Sequence, residues 1–129
     1  MGLLNSLTAL CLAGLGGSVG ALLRYGASKR AVARRAKPHA ATLTVNLAGS
    51  FFIGILAGAE WKAVRPELYA LLGPGVMGGL TTYSTLNVQK ATMKAEGRYR
   101  TLAKYAAATY LGGWLAFALG WIIGKAANG

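Results

Sequence analysis

Charged side chains fall in clusters along this chain, and the gaps between clusters are long and apolar. No side-chain charge precedes Arg24. Residues 38–59 are uncharged between Lys37 and Glu60, residues 68–89 between Glu67 and Lys90, and residues 105–124 between Lys104 and Lys125. Each gap is about 20 residues, the length at which a helix rising about 1.5 Å per residue crosses a hydrocarbon core. The pattern predicts an all-α membrane protein, one domain of four transmembrane helices near 3–25, 40–59, 67–91 and 104–124. The first gap lacks a basic start and is too long for a secretory signal, so it is read as a helix.

The small and polar positions inside the spans are ordered. Gly16 and Gly20 form a GxxxG pair, which lets helix backbones approach where lipid offers no hydrophobic drive. Asn46, Ser50, Gly54 and Gly58 recur every fourth residue and share one face of the second helix. Asn46 then has two readings: an interhelical hydrogen bond, or a pore-lining amide that donates to an anion. In the fourth helix Ala108, Gly112, Ala116, Gly120 and Gly124 make a face for close packing, beside Tyr105, Thr109 and Gly113.

The third span is the unusual one. Gly73-Pro74-Gly75 weakens it, and Gly78-Gly79-Leu80-Thr81-Thr82-Tyr83-Ser84-Thr85-Leu86-Asn87 follows. Polar, helix-breaking backbone at membrane depth is tolerated where it is buried in protein or lines a wet cavity. One reading is a kinked helix whose hydroxyls bond back to their own backbone. The other is a break whose freed carbonyls and hydroxyls face inward, where carbonyls can hold a hard cation such as sodium. Arg24 likewise reads as a snorkelling arginine, or as a buried one that bonds carbonyls or draws anions into a vestibule.

Charge sharpens this picture. The 129 residues are 54% hydrophobic and only 13% charged, with a net charge of +11. Arg24, Lys29, Arg30, Arg34, Arg35, Lys37, Lys90, Lys94, Arg98, Arg100 and Lys104 all fall on one side of a four-span layout, against Lys62, Arg65 and Lys125 on the other. Basic loops stay cytoplasmic, so both termini are expected outside the cytoplasm in a multi-pass protein of the cell membrane. The basic charge serves topology, with no context for nucleic acid. The acids are Glu60, Glu67 and Glu96, all outside the spans, so no carboxylate pair or nucleophile–base set is available for enzyme chemistry. Proton-coupled export by a small dual-topology drug exporter would need an acid within the membrane. The single Cys11 reads as a small buried hydrophobe, and His39 has no partner nearby for a metal.

The residues Gly20-Ala21-Leu22-Leu23-Arg24-Tyr25, Thr42-Leu43-Thr44-Val45-Asn46-Leu47 and above all Gly78-Gly79-Leu80-Thr81-Thr82-Tyr83-Ser84-Thr85 resemble the bacterial fluoride channels of the Fluc or CrcB family, over nearly the whole chain. The resemblance implies an antiparallel dimer with two pores, exporting fluoride passively. It implies a third helix broken at the dimer centre around a structural sodium ion on the carbonyls of Gly78 and Thr81. It places Asn46, Tyr83, Ser84, Thr85, Leu86, Tyr105 and Thr109 along the pore. The chain also departs from the family pattern. Tyr83 and Leu86 stand where two phenylalanines are usual, Gln89 where an acid is frequent, and Gly113 where a hydroxyl is expected. These departures and the lopsided charge point to a subunit of fixed orientation paired with an inverted paralogue; a homodimer, or a non-conducting structural subunit, is the alternative.

Overall fold

The computed structural model describes residues 2–128, with side chains from Asn5 to Ala127. The described residues are helices joined by short turns: α1 Gly2–Ala33, α2 Pro38–Gly58, α3 Trp61–Val64, α4 Pro66–Ala70, a π-helical segment Leu71–Met77, α5 Gly78–Leu80, α6 Ser84–Ala95 and α7 Tyr99–Asn128. Three helices are long and apolar enough to cross a membrane, over Asn5–Ala33, Pro38–Gly58 and Tyr99–Ala127. The remaining apolar gap is spread over a succession of short helical pieces from Pro66 to Ala95.

The first and last long helices run beyond their expected boundaries. α1 continues past Tyr25 to Ala33, through Lys29 and Arg30, and α7 begins at Tyr99 rather than 104. A charge-free gap measures the apolar part of a helix only. Lys, Arg and Ala are good helix formers and carry the helix on into polar surroundings. α2 starts one residue before His39 because Pro38, with its fixed φ, suits the first helical position. Gly97, at φ 72°, turns the chain between α6 and α7.

Gly73-Pro74-Gly75 widens the helix rather than breaking it. Pro74 has no N–H to give, and the backbone takes the looser π pattern over Leu71–Met77. The true break comes later, at Thr81, whose backbone is extended with φ −80° and ψ 157°.

Small residues set the packing on both sides of this segment. A Cβ added at Gly16 would meet the carbonyl oxygen of Leu71, and one at Gly20 the carbonyl oxygen of Val76. α1 therefore lies directly on the backbone of the broken segment. α2 and α7 interlock in the same way: Gly54 and Gly58 face the carbonyls of Phe117 and Trp121, and Gly120 and Gly124 face those of Phe51 and Ile55. Close backbone contact of this kind holds helices together where water supplies no drive. Cys11 is exposed on α1, contrary to the buried position expected for it, because the packed face of that helix is the glycine one.

The two ends of the bundle are chemically distinct. Lys37 and His39 meet Gln89, Thr92 and Arg98 around one cleft. At the other end Asn5 and Thr8 lie beside Pro66 and Glu67, and Lys125 pairs with Glu60 at 3.7 Å. The first and third basic loops are thus brought together.

Candidate functional site

The break is held from two helices. Thr82 N–H donates to Asn46 Oδ1 at 2.8 Å, and Asn46 Nδ2 donates to the Thr82 carbonyl at 3.1 Å. One amide side chain on α2 so replaces both partners that a continuing helix would have given Thr82. From α1, Arg24 reaches the Thr81 carbonyl at 3.4 Å. Buried backbone polar groups must be paired, and at membrane depth no bulk water can do it. Asn46 and Arg24 supply that pairing.

The hydroxyls divide between backbone and cleft. Thr81 Oγ1 bonds back to the Met77 carbonyl at 2.9 Å, as a hydroxyl in a helix commonly does. The Thr82 hydroxyl accepts the Thr85 N–H at 3.2 Å and so caps the start of α6. It also donates to Thr85 Oγ1 at 3.1 Å.

Two clefts flank the break. One, of about 290 Å³, is lined by Asn46, Ser50, Ile53, Thr81, Thr82, Tyr83, Leu86, Thr109 and Tyr110. The other, of about 270 Å³, has Arg24, Thr42, Thr82 and Thr85 on its wall. The structure therefore brings Asn46, Tyr83, Leu86 and Thr109 to one cleft and puts Arg24 and Thr85 on the second. Ser84 is exposed and lines neither of them. Tyr105 is buried in a cluster with Leu86 and Met93, and its hydroxyl donates to Gln89 Oε1 at 2.7 Å. The neutral Gln89 serves there as an acceptor. Leu86, only 3% exposed, is at once a cleft wall and a core residue.

Thr109 Oγ1 is the buried side-chain oxygen without a hydrogen-bond partner among the described residues. The residue forms part of the Asn46 cleft wall, with this oxygen sealed behind the surface. Ser50 and Tyr110 belong to this cleft too and were absent from the residues expected along the pore. Ser50 carried a signal, its place one turn after Asn46. Tyr110 carried none, since nothing local marks which side of a helix will meet a cleft.

Fold and site define a small helical membrane protein organised around a polar break in its least regular segment. The chain belongs to the family described as CrcB-like protein, Camphor Resistance (CrcB), which matches residues 11–121. It is 38% identical over 114 residues to fluoride-specific ion channel FluC 1 of Listeria monocytogenes serovar 1/2a, covering 88% of this chain and 94% of that one. It is 37% identical over 116 residues to FluC 2 of Lactobacillus delbrueckii subsp. bulgaricus, covering 87% and 94%. It is 40% identical over 112 residues to FluC 1 of Geobacillus kaustophilus, covering 86% and 93%. These relatives are named as ion channels, and the chain, as a member of the family, is not an enzyme.

Proposed function

We propose that this chain is a subunit of a fluoride-selective channel that lets cytoplasmic fluoride leave the cell passively. The observation that carries the reading is the Asn46 cleft. Amide, hydroxyl and phenol groups line it, with no carboxylate, beside a break pinned by Asn46 and Arg24. Fluoride holds its water tightly, so a pore must replace that shell with many donors. The edge of the Tyr83 ring carries partial positive charge and adds to them.

The working unit is an antiparallel dimer in the cell membrane, with the Pro66–Ala95 segment as its fourth span and the termini outside the cytoplasm. A structural sodium ion suits the break by its donor set. Thr82 N–H turns to Asn46 and so leaves the Gly78 carbonyl, its partner in a continuing helix. The Thr81 carbonyl lies in extended backbone. Carbonyl oxygens of Gly78 and Thr81 are suitable ligands for a hard monovalent cation, and such an ion adds a fixed positive field for the anion. Arg24 competes for the Thr81 oxygen and contributes charge of the same sign.

The test is fluoride efflux from liposomes holding this chain, alone and with an inverted paralogue. Fluoride flux well above chloride flux is expected from the pair. Fluoride flux no greater than chloride flux in both preparations would overturn the reading. A second reading, a structural subunit that lines no working pore, draws on Leu86, which packs as core where a ring edge is usual. Under that reading, replacing Tyr83 leaves flux of the pair unaltered; under the channel reading it lowers it.

A further inference from the structure

Tyr110 and Lys90 lie outside the motifs that carry the family resemblance, yet they are joined to each other, and Tyr110 lines the Asn46 cleft. Lys90 Nζ, from α6, donates to the Tyr110 hydroxyl oxygen on α7 at 2.5 Å. The same nitrogen is 5.0 Å from the ring centroid. A phenol oxygen lies about 2.8 Å from its own centroid by standard bond lengths, so the ammonium sits off the hydroxyl end and not over the ring face. Tyr110 is half-exposed and lines the cleft with Asn46, Ser50 and Thr109.

This geometry has a chemical consequence. Lys90 has three donors and no acceptor, so the phenol oxygen must be the acceptor. The phenolic O–H is then left to donate elsewhere. A donor whose oxygen already accepts from a cation is polarised and donates more strongly. Its neighbours on the cleft wall include further donors, the Asn46 amide and the Ser50 hydroxyl. With no carboxylate on that wall, the arrangement suits a small anion and not a cation.

We infer that Tyr110, backed by Lys90, is an anion-binding station on the wall of the Asn46 cleft. The Tyr110 O–H touches the anion, and Lys90 is a positioning residue that acts through the phenol. The inference rests on the channel reading and adds to it a site supplied by α7 and the end of α6. It also gives one of the eleven clustered basic residues a role beyond topology.

Fluoride efflux from liposomes, with the chain paired as in its most active preparation, tests this. Tyr110→Phe and Lys90→Met are each expected to slow efflux about tenfold, the effect of one hydrogen bond to a charged group. The double variant should be no slower than either single one, because both remove the same donor. Lys90→Arg should recover most of the rate. Lys94→Met, on the exposed side of α6, should leave it unchanged and so separates the contact from overall charge. Tyr110→Phe at the wild-type rate, or single effects that multiply in the double variant, would overturn the station. Should Lys90→Met not assemble, Tyr110→Phe decides alone, since it removes one oxygen and keeps the ring. A wild-type protein without fluoride flux would sink the channel reading and the station together. A conducting wild type insensitive at Tyr110 sinks only the station.

Discussion

Asn46 spends its one side-chain amide on the peptide at the break. Both its heavy polar atoms are bonded to the Thr82 peptide, so the interhelical reading of this residue holds in the structure. The amide nitrogen carries a second donor beyond its bond to the Thr82 carbonyl, and the proposed pore role rests on that one. Asn46→Ala strips Thr82 of both partners at once. Leaving buried polar groups unpaired costs about 1–3 kcal/mol, and the loss is expected as a lower melting temperature in detergent. An unchanged melt would mean that Thr82 finds other partners. Leu86 argues in the opposite direction. It fills a site bounded by Met93 and Tyr105 at 3% exposure. Leu86→Phe, the residue that the family resemblance leads one to expect here, should destabilise this chain by about 1–3 kcal/mol through overpacking. The residue is fitted to its own surroundings, so the substitution should not improve flux when both are measured on one preparation.

Helices are positioned here by the absence of side chains. At Gly20 an added Cβ would run into the Val76 carbonyl and the Leu80 nitrogen, whereas at Gly14 and Gly26 nothing lies within 4 Å. Gly20→Val must push α1 away from the segment that carries the break, and Arg24 would move with it. Loss of a monodisperse peak on size exclusion, or a melt lowered by several degrees, is the expected result. Gly14→Ala and Gly26→Ala should be neutral or slightly stabilising, since each only removes freedom from the unfolded backbone. A Gly20 variant as stable as the Gly14 one would show that the glycine face is not the packed one. Much of this level was legible in the chain: the GxxxG pair, the four-residue spacing on α2 and the small face of α7 all lie in contact. Two things were not. Helix ends were placed short, because the charge-free stretch stops before the helix does. The break was assigned to a polar run without its partners, because Asn46 and Arg24 are far from Thr82 and Thr81 in sequence, and no local periodicity encodes which carbonyl a distant side chain will reach.

At the scale of the whole molecule, charge decides how the bundle sits. Lys37 and His39 share a cleft with Arg98, so the first and third basic loops form one strongly positive end. The opposite end has Lys62, Arg65 and Lys125, with Glu60 against Lys125 and Glu67 nearby. A bias this large favours one orientation, because basic residues near span ends resist translocation. A chain fixed in one orientation cannot supply its own inverted partner. The prediction is direct. With Cys11 replaced by Ser, a single cysteine at Val64 should react in intact cells with a membrane-impermeant maleimide. A single cysteine at Ala95 should react only after lysis. Both positions are exposed and neither carries charge, so the substitutions leave the bias intact. Equal labelling of the two in intact cells would mean that the chain inserts both ways, and a homodimer would then be sufficient. One-sided labelling makes fluoride flux depend on a second chain of opposite bias, and adding that chain to the liposomes should raise the flux at constant amount of this one.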